Sequence, residues 1–126
     1  MSGIMCVLLG ANSAPLAAGV SPGTVSGSET VLGPGSVSVT VVTGNANTTV
    51  SGGQAPYTYL WEYVSGDTAT ALSPTSAVTA FSRTVTQISP FTEFLTGVYR
   101  CRVTDARSTV AYTGNVTVET THTAEP

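Results

Sequence analysis

The chain has 126 residues, only 9 % of them charged, and its four Lys and Arg against seven Asp and Glu give a net charge of −3. A chain of this length can form one domain with a substantial hydrophobic core. Its cations are too few and too scattered to replace the counterions of a nucleic acid, which excludes that class of partner. Abundant Thr, Ser and Val, with thirteen Gly and seven Pro for turns, predict an all-β protein.

The chain begins with a short apolar run at residues 4–9. This run is too short to span a membrane, which takes about 20 apolar residues, and no Lys or Arg precedes it as a secretory signal requires. Three interpretations stay open: the run folds back on its own domain, it docks on a partner or on other copies of the chain, or it is an uncleaved signal. We favour docking, with these residues as the anchor: Ile4, Met5, Val7, Leu8 and Leu9.

Residues 15–35 are rich in Gly, Ser and Pro and predict a linker or an extended edge segment. We place the domain boundary near Pro34. The predicted organisation is therefore an N-terminal anchor and linker at residues 1–35, a β-sandwich at 36–120 and a polar tail at 121–126.

Strand signals recur beyond Pro34 at the spacing typical of a β-sandwich. They are, in chain order, SVSVTVV, TTVSGG, PYTYLWEYV, AVTAFSRTV, residues 91–94, residues 98–105 and TVAYTGNVTVET. In PYTYLWEYV the aromatic residues share one face, which we expect to be at least partly buried. In residues 98–105 the inward face carries Tyr99, Cys101 and Val103. No segment predicts a helix.

The sequence offers no constellation for catalysis or for metal binding. The single histidine, His122, falls in the predicted polar tail, where nothing would hold it as a general base. Two distant cysteines and one histidine cannot form a closed tetrahedral site, and Asp67 and Asp105 lie in different predicted loops. We expect no enzyme activity, no cofactor and no metal. We also expect Cys6 and Cys101 to be thiols, since a disulfide between them has no positive support.

Trp61, with Tyr99 two residues before Cys101, resembles the tryptophan and tyrosine corner of the immunoglobulin fold. The resemblance places Trp61 on strand C, Tyr99 and Cys101 on strand F, and the Tyr99 hydroxyl on upstream backbone. Strand B holds no cysteine, and we predict that Val50 fills the volume of the missing half-cystine. The acidic residue expected before the corner is Leu95 here, and Glu93 is a candidate partner for Arg83 instead.

The stretch SGGQAPYTYLWEYVSGD, followed by SPTSAVTAFS and YRCRVTDA, is similar to small immunoglobulin-like domains of tailed bacteriophages. The similarity covers residues 52–118 and implies a virion structural protein, assembled in the host cytoplasm, whose anchor docks on the tail or, as a decoration protein, on the capsid. Expected partners are other virion proteins, copies of the chain itself and, weakly, a host surface.

The alternative is a bacterial surface or secreted adhesion module that binds carbohydrate or protein through its loops. Two loops are candidates for such contacts, residues 64–70 and residues 104–109.

Overall fold

The computed structural model describes residues 14–126, which form eleven β-strands and contain no helix. The strands are β1 (Ala17–Ser21), β2 (Thr24–Leu32), β3 (Ser36–Val42), β4 (Ala46–Ser51), β5 (Thr58–Gly66), β6 (Thr70–Ala71), β7 (Val78–Thr79), β8 (Phe81–Ile88), β9 (Phe91–Thr104), β10 (Val110–Tyr112) and β11 (Val116–Glu125). The predicted all-β fold is confirmed.

The 14-residue strand β9 organises one layer of the fold. Its first nine residues pair with β11. Its last residues pair with β10 along the same edge as β11, and with β5 along the opposite edge. Strand β2 completes this layer by pairing in parallel with β11. All other pairs are antiparallel.

The facing layer consists of two three-stranded sheets, β1–β4–β7 and β3–β8–β6. Three residues join β3 to β4 and a single residue joins β7 to β8, so the two sheets lie end to end. Strand β3 packs across the core against β11. The arrangement of packed sheets is consistent with the predicted β-sandwich.

The core has two apolar clusters, one toward each end of the sandwich. The larger contains Trp61, Phe81, Tyr99 and their neighbours, and the smaller contains Val37, Val39, Val41 and Ala124. Strand β11 runs through both, because its inward residues alternate strictly: Val116, Val118, Thr120, His122 and Ala124 are all buried. Two polar side chains, Thr120 and His122, therefore lie between the two apolar clusters.

The structure corrects the predicted boundaries at both ends of the sandwich. Residues 17–21 and 24–32, predicted as a linker or an extended edge segment, form the edge strands β1 and β2 of the domain, and Val25 is buried in the core. Residues 121–125, predicted as a polar tail, continue β11. The reason is the same in both places: these segments contain few large apolar residues and are held by backbone pairing to neighbouring strands. Gly27 permits this in β2, since a side chain there would collide with the Val42 carbonyl.

Candidate functional site

Four of the five predicted core residues lie together in the larger apolar cluster. Trp61, Tyr99, Cys101 and Val103 are buried, and Trp61 pairs directly with Cys101 across β5 and β9. The Trp61 indole N–H donates to the Ser76 carbonyl at 2.8 Å. Its ring meets Phe81 edge-on, with centroids 5.8 Å apart. This geometry satisfies the one polar atom of the tryptophan and leaves its rings for packing.

The fifth predicted core residue, Val50, does not occupy the place expected for a half-cystine. Val50 pairs with Ala18 of β1 and packs half-buried against the edge of the cluster. The residue of β4 beside the Cys101 thiol is Thr48, two positions earlier on the same face. Burial raises the pKa of Cys101, and the nearby Thr48 hydroxyl partly opposes that shift. The Thr48 oxygen is buried and has no well-formed hydrogen bond within residues 14–126.

The Tyr99 hydroxyl bonds to upstream backbone, but to a more distant segment than in a tyrosine corner. It accepts from the Ala69 N–H and donates to the Ala69 carbonyl, both at 2.7 Å. Ala69 lies in the connection where the chain crosses from β5 in one layer to β6 in the other. Tyr99 therefore fixes the position of this crossover.

Arg83 is buried among backbone carbonyls, and the predicted pair with Glu93 is wrong. Its guanidinium donates to the carbonyls of Asp67 and Thr68 in the crossover, and to the Leu95 and Val118 carbonyls in the other layer. Glu93 instead accepts from Gln87 at 2.9 Å. Burial lowers the pKa of Arg83, and the charge of Asp67 opposes that shift.

His122 is fully buried, in contrast to the free position predicted for it. Its Nδ1 lies 3.0 Å from the Val39 carbonyl and must donate there, since a carbonyl only accepts. Arg83 donates to the Thr120 hydroxyl at 3.0 Å, and that hydroxyl lies within hydrogen-bond distance of His122 Nε2, at 2.9 Å. Both ring nitrogens are therefore bonded to groups inside the core.

The two loops proposed for recognition are held by internal bonds of their aspartates. The Asp67 carboxylate accepts from the Thr96 N–H at 2.9 Å. Asp105 accepts from the backbone N–H groups of Gln54, Arg107 and Thr109 at 2.8–3.0 Å. Burial alone would raise the pKa of Asp105, but these donors together outweigh it and hold the pKa below its usual value. The carboxylates thus brace the loops.

A cationic and aromatic cluster lies on the outer surface of the β5–β9–β10 region. We call Glu62, Arg100, Arg102 and Tyr112 the Arg–Tyr face. Arg100 lies over the Tyr112 ring at 3.9 Å from its centroid, and Glu62 contacts both arginines, at 3.4 and 3.6 Å. Both arginine side chains remain about 40 % exposed. The alternation of residues 98–105 predicts that Arg100 and Arg102 lie on the face opposite Tyr99 and Cys101. It does not predict that Tyr112 lies beside them.

One lateral side of the sandwich is open, because two strands end their pairing early. Strand β6 pairs only with residues 81 and 82 of β8, and β5 ends its pairing with β9 at Gly97. Within the described part of the chain, no strand pairs with the outer edge of β8 beyond Ser82 or with that of β9 before Gly97. We call these two segments, residues 83–88 and 91–96, the open side. Large apolar side chains stand exposed there, with Ile88 69 % and Phe94 62 % accessible.

The five residues predicted as an anchor, Ile4, Met5, Val7, Leu8 and Leu9, lie outside the described residues. The described chain begins at Ala14, whose carbonyl accepts from the Gly53 N–H at 2.9 Å. Gln54, the next residue, bonds Asp105. The described chain therefore begins at the end of the sandwich formed by the β4–β5 and β9–β10 loops.

No protein-family model matches the chain, and no curated protein matches it. Among residues 14–126, no group of three or more His, Cys, Asp or Glu is placed to hold a metal ion. The same residues include no helix with the length and apolar character that crossing a membrane requires.

Proposed function

We propose that this protein is a non-enzymatic structural module of a bacteriophage virion, an immunoglobulin-like sandwich attached through residues 1–13 to the tail or to the capsid. The proposal combines the similarity of residues 52–118 to phage immunoglobulin-like domains with the way the side chains are used. The module is a rigid domain displayed on the particle surface, and its partners are other virion proteins and copies of itself.

The observation that carries the proposal is that the side chains capable of acid–base or nucleophilic chemistry are buried in the core. His122, Arg83 and Cys101 are all buried, and the two basic side chains bond to backbone carbonyls and to Thr120. A general base must reach its substrate, and these groups reach only the core. What the sandwich presents outward is mainly Ser and Thr hydroxyls, such as the exposed pairs Ser38–Thr86 and Thr40–Thr84.

The strand order supports the immunoglobulin-like part of the proposal. In an immunoglobulin constant-type domain, strands A, B, E and D form one sheet and C, F and G the other. Here the first order is matched by β1 as A, β3 with β4 as B, β7 with β8 as E, and β6 as D. The second order is matched by β5 as C, β9 as F, and β10 with β11 as G. The pair Trp61 and Cys101 then stands on strands C and F, as the resemblance implies.

The proposal is tested by asking whether the protein is part of a particle. Particles are purified on a density gradient from a lysate of cells that carry the gene, and the protein is measured in them by mass spectrometry and located by immunogold microscopy. We expect a fixed copy number in the wild type and loss of incorporation in Leu8→Asp. Thr30→Asp, on the exposed surface of β2, is the matched control. Absence of the wild-type protein from purified particles would refute the proposal.

A second candidate function, adhesion, is favoured by the Arg–Tyr face rather than by the loops. Tyr and Arg are, with Trp, the residues most enriched at the energetic centres of protein interfaces, and this face presents one Tyr and two Arg together. An adhesin would lose binding to cells when Arg100 and Tyr112 are both changed to Ala. Unchanged cell binding of that double variant, measured by flow cytometry with labelled protein, would remove the reason for this candidate.

A further inference from the structure

We propose that the apolar run at residues 4–9 of one copy adds as a β-strand to the outer edge of β8 in a second copy, so that the chain assembles head to tail. This inference rests on the assembly role proposed above and names the surface that receives the anchor. It follows from three features of the molecule: an edge with free backbone groups, a tether too short to reach it within one chain, and a segment that fits it.

The direction of neighbouring backbone bonds shows which groups are free on the open side. The Ala80 carbonyl accepts from the Leu72 N–H, so even-numbered residues of β8 direct their backbone away from β3. By the two-residue period of a strand, Thr84, Thr86 and Ile88 do the same. Residues 14–126 provide no backbone partner for these three. Such a row of unpaired N–H and C=O groups is a template for another strand.

Few of the devices by which proteins usually protect an edge strand are present at the open edge. Residues 83–88 contain no Pro and no Lys, and their pairing with β3 is regular, without a bulge. The inward-pointing charge of Arg83 stands at the start of this segment, and residues 84–88 carry no charge. Across the open side, Gln87 donates to Glu93 of β9 at 2.9 Å. On the inward faces of the two open segments, Val85, Phe91 and Leu95 are only half-buried. Alternate side chains of an added strand would cover them.

The tether between the apolar run and Ala14 is short, which favours the anchor of another copy as the segment that pairs with this edge. Five Cα–Cα steps separate Leu9 from Ala14 and span at most about 18 Å when fully extended. Ala14 lies beside the loop that contains Asp105. The open side begins next to Gly97, eight residues from Asp105 along β9, which is roughly 26 Å at 3.3 Å per residue. Leu9 therefore falls about 8 Å short of the near end of its own open side, and the run cannot pair along the whole edge within one chain.

The apolar run fits the edge in length and composition. Both the run and the open segment of β8 are six residues long. The run contains no charge, Gly or Pro, so it can supply an uninterrupted row of backbone bonds, as in other complexes in which a peptide completes a sheet. Because donor and acceptor are different surfaces, each copy can bind two neighbours, which gives a ring or a chain of copies.

Two single variants of the full-length protein separate the donor from the acceptor. Leu8→Asp blocks the donor segment and leaves the edge intact. Thr86→Pro blocks the edge and leaves the donor intact, and it removes no ladder bond, because the Thr86 N–H points away from β3. Thr86→Ser is the matched control, since it keeps both the N–H and a hydroxyl for Ser38. Near-UV circular dichroism and Trp61 fluorescence establish that each variant is folded.

Sedimentation velocity then measures the mass of each variant alone and of a mixture. We expect oligomers for the wild type and for Thr86→Ser. Each blocked variant alone should be a monomer. For Leu8→Asp we expect association to weaken by roughly 100-fold, the loss expected when one buried leucine contact is removed. Mixing the two blocked variants should give a complex of two chains, because one supplies a free donor and the other a free edge.

Two results would overturn the inference. If folded Thr86→Pro forms the same oligomers as the wild type, the anchors associate with one another or with another surface. If the folded blocked variants stay monomeric when mixed, or if the wild type itself is monomeric, the anchor does not add to β8. Particles that incorporate Thr86→Pro normally would leave the virion role standing while refuting this edge as the acceptor, so the two proposals fail separately.

Discussion

Replacing Thr48 with Cys should create a disulfide to Cys101 and stabilise the sandwich. Thr48 is the residue of β4 whose side chain lies beside the thiol, and it faces Cys101 across the two layers. The chain already contains one half of this bond. The change also removes a buried hydroxyl that has no well-formed hydrogen bond among the described residues, so the substitution breaks no such bond in the core.

The magnitude follows from the loop that the new bond would close. A bridge between positions 48 and 101 encloses about 50 residues, and the loop-entropy relation then gives about 4 kcal/mol at 25 °C. Removing an unsatisfied buried hydroxyl adds about 1–3 kcal/mol. Strain in the new bond subtracts from this sum, and engineered bridges often deliver less than predicted, so we expect a net gain of about 2–4 kcal/mol in the free energy of unfolding.

The assay compares oxidised and reduced protein in guanidinium unfolding, followed by Trp61 fluorescence. All variants carry Cys6→Ser, so that only the intended pair can form. Val50→Cys is the matched control: it lies on the same strand and face, but beside Ala18 rather than beside the thiol. Thiol titration under denaturing conditions reports whether the bond has formed.

Three outcomes are informative. A bond in Thr48→Cys and none in Val50→Cys would confirm that Thr48 is the residue of β4 that faces Cys101 across the core. A bond in Val50→Cys alone would show that Val50 faces Cys101, as first predicted. A bond in Thr48→Cys with lower stability than its reduced form would refute the argument that position 48 accommodates the bridge without strain.

Three further predictions follow from the core and the loops. Trp61→Ala removes the ring that meets Phe81 and should lower the free energy of unfolding by about 3–5 kcal/mol in urea titration; a loss below about 1 kcal/mol would contradict its central position. Because the folded pKa of Asp105 is depressed, its contribution is complete above the pKa of an unfolded aspartate, about 4, and is lost as the pH falls toward the folded value. Thermal unfolding should therefore depend less on pH below about 4 in Asp105→Asn than in the wild type, and equal dependence would contradict the proposed bracing. In Cys6→Ser protein, Cys101 should resist alkylation until the protein unfolds, since burial both shields the thiol and raises its pKa; rapid reaction of native protein would refute this.

The sequence was sufficient for the fold class and for most of the core because strict alternation is a local signal. Residues 98–105 and the PYTYLWEYV segment alternate so regularly that the buried faces of Trp61, Tyr99, Cys101 and Val103 could be predicted. The rest of that aromatic face is only partly buried, and Tyr63 at its outer end is half exposed. Its ring packs on Tyr99 while its hydroxyl bonds to Gly66 at the rim.

Segments held by backbone pairing could not be predicted in the same way. Strand β2 and the last residues of β11 look like linker and tail because their side chains are small and polar. These two segments pair in parallel with each other across nearly a hundred positions of sequence, and the end of β11 also pairs with the start of β9. No local pattern encodes such pairing. His122 became a core residue for the same reason: once β11 continues past residue 120, alternation directs that side chain inward.

The buried polar residues also explain why the sandwich has an open side. The chain leaves β5 at Gly66 and crosses to the facing layer through residues 67–69, where Arg83 binds the Asp67 and Thr68 carbonyls and Tyr99 binds Ala69. These bonds fix the crossover near the middle of the sandwich. Strand β5 therefore ends at that level, and β6 begins too late to cover more than residues 81 and 82 of β8. Loss of the Arg83 or Tyr99 bonds would move the crossover, so the edge that we propose as the acceptor depends on side chains in the core that never touch the partner.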